Sequence, residues 1–312
     1  MNGPSDAMSQ APLDSTAAPA ISFATRPWYW SVRRELWEHR SIYLAPLFAA
    51  ALVLTGYLIG TLVIPRHIRA LAALEPMRQQ AALQQPFGFA AAMIVLVMFL
   101  VAVYYCIVAL HGERRDRSIL FWKSLPVSDL TTVLSKASVP FLVLPLIAFT
   151  ITVLTQFTML LMGSVGLQIN GMNASMLWSQ LPVTQMPVVL FYGMTVATLW
   201  YAPVYGWLLL VSCWSRRTSF LWALSPLAIC FIERIAFNSG HFASLLLYRA
   251  IGFFDLAFAV TPRAGSARGT LLQLSQLDPG RFFRSGGLWV GLAVAAGLLA
   301  AAVRLRRHRV PE

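Results

Sequence analysis

For 79 consecutive residues, 137–215, the chain carries no Asp, Glu, Lys or Arg, and a second uncharged run covers 79–112. A soluble fold exposing that much uncharged apolar surface would associate through it. Only 12% of the 312 residues are charged, against about a quarter in a soluble domain. With 58% hydrophobic residues and a mean hydropathy of +0.66, the chain reads as an all-α integral membrane protein.

Crossing the hydrocarbon takes about 20 residues. Six segments meet or approach that length: 41–64, 88–111, 138–162, 187–213, 218–237 and 286–303. Residues 1–25, rich in Ala, Ser and Pro, read as a disordered cytoplasmic tail. Residues 26–40 read as an amphipathic interfacial helix. Tyr29, Val32 and Leu36 recur at helical spacing beside Trp28, Trp30 and Trp37, opposite Arg33, Arg34, Glu38 and Arg40. A transmembrane domain then spans 41–307, and 308–312 form a short cytoplasmic tail. The apolar segment 240–260 contains Arg249 and Asp255, each costing about 2.5 to 3.5 kcal/mol at a span centre. It is therefore expected to form two short helices that dip into the outer leaflet.

The net charge of +12 comes from 22 Arg and two Lys against 12 acidic residues. The cations cluster at the ends of apolar segments, which points to membrane orientation and lipid headgroups rather than nucleic acid. With the N-terminus inside, 15 of the 24 basic residues fall on inward segments, including the terminal "RLRRHR". Both termini are thus expected in the cytoplasm. Arg over Lys usage suggests a GC-rich genome and a bacterial inner membrane.

Between the two uncharged runs lies "GERRDRSILFWKSLPVSDLTTVLSK", residues 112–136, with eight charged residues. Ile119, Phe121, Trp122 and Leu125 suit an interface, Pro126 interrupts, and Ser128 can cap a new helix with Asp129 in its first turn. This predicts two short helices lying on the membrane, tied at each end to a span. Such an element is either a solvated inner loop or a docking surface for a cytoplasmic partner.

Here the chain resembles the permease subunits of ABC transporters of the ABC-2 type, also called type V exporters. In that family an elbow helix precedes the first span, matching 27–40. A loop of the form E-R-x-x-x-(apolar)-x-x-L-P-(V/I)-S joins spans two and three, matching Glu113, Arg114, Leu125, Pro126, Val127 and Ser128. Outer re-entrant helices precede span six, matching 240–262. The resemblance implies six transmembrane helices, with cytoplasmic coupling helices between the second and third. It implies a second permease copy or a sister permease, and a separate cytoplasmic ABC ATPase that binds ATP and Mg. By the same resemblance Glu113, Arg114, Asp116, Arg117, Trp122, Leu125, Pro126, Val127 and Ser128 form the surface coupled to that ATPase. The alternatives are a membrane module that passes on ATPase motion without moving cargo, and a stand-alone channel or carrier.

No G-x-x-x-x-G-K-[ST] loop is present, since Lys123 and Lys136 follow Trp122 and Ser135. Neither H-E-x-x-H nor G-x-S-x-G occurs, so no enzyme activity and no cofactor of its own are expected. Cys106, Cys213 and Cys230 lie in or beside spans without metal-ligand spacing and read as packing residues. Glu233 and Arg234, in the outer part of span five, form an intramembrane polar pair: either charges at the outer interface or part of a dimer contact or exit gate.

Overall fold

A computed structural model describes residues 27–63, 76–111, 128–171, 173–215, 219–259 and 274–308. The expected tail at 1–25 and the coupling positions Glu113, Arg114, Asp116, Arg117, Trp122, Leu125, Pro126 and Val127 lie outside the described residues.

Every named element among the described residues is helical, and one isolated bridge pairs Phe258 with Leu277. The order is α1 (Pro27–Glu38), α2 (Ser41–Leu58), α3 (Pro76–Val108), α4 (Asp129–Ser138), α5 (Leu144–Ile169), α6 (Ser175–Gln180) and α7 (Gln185–Trp200). There follow α8 (Ala202–Trp214), α9 (Ser219–Ala223), α10 (Ser225–Phe237), α11 (His241–Ala257), α12 (Pro279–Arg284) and α13 (Gly286–His308).

Four helical stretches are long and apolar enough to cross a membrane: Ser41–Thr61, Gln79–Val108, Asp129–Ile169 and Gly286–His308. The pair α7–α8 makes a fifth if its 50° bend is one broken span. The bend falls at Tyr201, two residues before Pro203. Proline there has no N–H for the preceding turn and crowds its carbonyl, and spanning helices accept this where neighbours compensate. Large apolar side chains face outward along these helices, among them Phe48 at 73% exposure and Leu52 at 58%. That is the surface of a multi-pass membrane protein, with lipid as its solvent.

The core lies where α2, α3, α5, α8 and α13 meet, around Ile42, Ile94, Tyr105, Leu144, Tyr205 and Leu209. Helices α8 and α13 approach closely at Gly206, where a Cβ would sit 3.3 Å from the Ala295 carbonyl oxygen. Small residues at such crossings let spanning helices pack backbone to backbone.

Helix α4 runs straight into the third span, as the apolar face of 130–134 predicts, through a π-helical turn, Val139–Val143, that joins it to α5. Pro140 and Pro145 interrupt the ordinary i→i−4 ladder, and Leu144 N–H instead reaches the carbonyl of Val139. The resulting 41-residue stretch is about 60 Å long, roughly twice the hydrocarbon thickness, so one end stands clear of it. Two other expectations change. The segment 218–237 is divided at Leu224 into α9 and α10, neither long enough to cross alone. Finally, 241–257 is one helix rather than two, and the second short helix, α12, comes just before α13.

Helix α11 resolves the cost of Arg249 by turning it toward protein. The guanidinium lies 4.6 Å from the Trp200 ring centroid and donates to the Gly287 carbonyl at 3.2 Å. A Cβ at Gly291 would collide with the same guanidinium, so the glycines of α13 make its berth. Trp200 Nε1 donates to the Arg249 carbonyl at 2.8 Å, closing the contact from the other side. Asp255 is exposed.

Candidate coupling site

Helix α1 is amphipathic in an unexpected way. Its outer side carries Trp28, Trp30 and Trp37, exposed at 47%, 57% and 70%, with Arg33 stacked on two of those rings. That face suits a membrane interface. Its inner side carries Glu35, only 3% exposed.

A buried carboxylate is tolerated only when paired and hydrogen-bonded. Lys136 of α4, 2% exposed, donates from Nζ to Glu35 Oε1 at 2.8 Å. Tyr105 of α3 donates its hydroxyl to Glu35 Oε2 at 2.8 Å. His39 Nε2 stands 3.9 Å from the same oxygen, and its ring meets the Tyr105 ring edge-on at 5.2 Å. One carboxylate thus ties α1 to the end of α3 and to α4.

Helix α4 is held a second time. Arg306, 4% exposed in the last turn of α13, donates Nε–H to Asp129 Oδ1 at 3.1 Å. Ser128 caps α4 as the sequence predicts, accepting the Thr131 N–H at 3.1 Å. On the other shoulder of the charged island, Ser212 Oγ of α8 accepts the backbone N–H groups of Leu110 and His111, both at 3.0 Å. The two ends of the chain that flank 112–127 are therefore fixed to α1, α8 and α13.

Of the expected coupling residues, Ser128 alone falls among the described residues, where it caps α4. Glu35, Tyr105, Lys136, Asp129, Ser212 and Arg306 were not singled out as a site by sequence reasoning. One signal was present: Glu35 stands beside Leu36 and three residues after Val32, on the apolar side of a short amphipathic helix.

Glu233 is occupied by its own chain. Its carboxylate accepts from Ser239 Oγ at 2.8 Å, His241 N at 3.0 Å and Phe242 N at 2.9 Å. Asn238 turns the chain with a left-handed φ of 46°, and Gly240 at the start of α11 offers no side chain to cap it, so Glu233 caps α11 from outside. Arg234 lies exposed in the last turn of α10. Replacing Glu233 with Ala is expected to speed hydrogen exchange at the His241 and Phe242 amides, with Glu233→Gln intermediate; exchange measured by mass spectrometry or NMR checks this. No group of three or more His, Cys, Asp or Glu side chains is arranged to hold a metal among the described residues.

No family model, curated protein or solved structure matches the chain.

Proposed function

We propose that the chain is the membrane-spanning permease subunit of an ATP-driven exporter of the ABC-2 type, worked by a separate cytoplasmic ATPase. The observation that supports this reading most is the double anchoring of the charged island's shoulders by Glu35–Lys136–Tyr105 and by Ser212. A loop with no mechanical task needs no buried ion pair at its root. In this reading six spans are completed by α9 and α10 together, α11 and α12 are the outer re-entrant elements, and both termini are cytoplasmic. Two permeases, identical or sister, stand side by side. Glu113, Arg114, Asp116, Arg117 and Trp122 contact the ATPase, and ATP and Mg are bound by that subunit. Closure of the ATPase pair pushes on 112–128, and α4 carries the push along the continuous Asp129–Ile169 helix into the membrane.

Affinity purification of the tagged chain from its native membrane is expected to retain a polypeptide bearing a P-loop. Glu113→Ala with Arg114→Ala is expected to lose it, with the chain itself still folded and membrane-inserted. Retention unchanged in the double variant would refute the coupling role, and a wild-type preparation with no ATPase would favour the stand-alone channel or carrier.

A further inference from the structure

On the same face as the coupling site, α8 and α13 enclose a groove of about 550 Å³. Its walls are two matched helical stripes. From α8 come Trp207, Leu210, Val211 and Trp214, and from α13 come Ala301, Arg304, Leu305 and His308. Each set follows the spacing i, i+3, i+4, i+7 that defines one helix face. The groove is apolar along its length, with Arg304 at one end. Among the described residues no acidic side chain lines it.

The terminal sequence "RLRRHR" is therefore sorted by position. Arg306 turns inward to Asp129. Arg304 and His308, four residues apart, edge the groove. Arg307 is exposed and lies outside the lining. Trp214, 40% exposed at the last turn of α8, sits where an indole marks the boundary between hydrocarbon and headgroups. Both helices end on the side fixed by the Arg306–Asp129 pair.

We infer that this groove is a binding site for one anionic phospholipid, with an acyl chain along Trp207, Leu210, Val211, Ala301 and Leu305 and the phosphate at Arg304 and His308. The charge pattern selects the occupant. A neutral hydrocarbon leaves Arg304 unused, a soluble anion leaves the apolar floor unused, and a basic pocket between spanning helices at the headgroup level fits an acidic lipid. The assignment depends on the chain lying in a membrane and not on its having an ATPase partner.

The test is native mass spectrometry of the full chain in detergent, challenged with equal dioleoyl phosphatidylglycerol and dioleoyl phosphatidylcholine. One phosphatidylglycerol is expected to be retained in preference. Arg304→Gln is expected to lower that preference about fivefold, the weight of one interfacial cation. Arg307→Gln, with the same change in net charge, is expected to leave it unchanged. Ala301→Trp, which fills the floor and keeps Arg304 and His308, is expected to reduce retention as well. Equal retention of the two lipids, an Arg307→Gln effect as large as that of Arg304→Gln, or displacement by soluble glycerol phosphate would each overturn the assignment.

Discussion

Replacing Lys136 with Met is expected to cost about 3 to 5 kcal/mol of stability, the usual penalty for removing one partner of a buried ion pair. Lys136 is 2% exposed and its partner Glu35 3%, so water cannot take the place of the lost ammonium. Glu35 keeps the Tyr105 hydroxyl, which stabilises one oxygen and leaves the charge uncompensated. The converse variant, Glu35→Gln, takes the carboxylate charge away from the buried ammonium and is also expected to be destabilised. The double variant Glu35→Gln with Lys136→Met removes both charges and keeps an acceptor for Tyr105, so most of the loss is expected to return. Unfolding temperature in a fixed detergent, followed for the four forms, checks the cycle. Additive losses in the double variant would mean that the two side chains stabilise separate places.

The second large effect is expected at Ser212. Its hydroxyl oxygen accepts two backbone N–H groups at the end of α3, and the residue is fully buried. Ser212→Ala leaves those donors without an acceptor, at about 1 to 3 kcal/mol for each that water does not reach. The volume change is small, so a packing loss does not account for a drop of that size. Ser212→Thr, which keeps the oxygen, is expected to restore stability where its extra methyl fits. Hydrogen exchange at Leu110 and His111 separates the two terms: the Ala variant should exchange faster there, with the core around Leu209 still protected.

The uncharged runs made the spans legible, because bilayer thickness sets helix length and few other folds need such segments. The start of α2, the start of α13 and the cap at Ser128 followed from the same elementary signals. That α4 continues into α5 was legible in its apolar spacing, but the π turn at the junction was not. Pro126 suggested a bend on one side, yet Pro140 and Pro145 on the other were absorbed by a π turn, a choice made by packing. The division of 218–237 at Leu224 was equally silent, since Pro226 is an ordinary residue near a helix start.

The site was less legible than the fold. Glu35 and Lys136 stand 101 residues apart, and either reads locally as an interfacial charge. Their meeting depends on how α1 packs on α4, which hydropathy does not encode. Arg249 teaches the same lesson at the start of α13. The sequence marked it as too costly for a span centre, but its berth against Trp200, Gly287 and Gly291 comes from three separate segments.

The central claim is that 112–128 is gripped from the cytoplasm by a nucleotide-driven subunit. A photo-crosslinking residue placed at Asp116 in living cells tests it most directly. The account predicts one dominant adduct with a P-loop ATPase, reduced when Glu113 and Arg114 are both alanine. Labelling of the same position by a membrane-impermeant reagent added outside intact cells would contradict it.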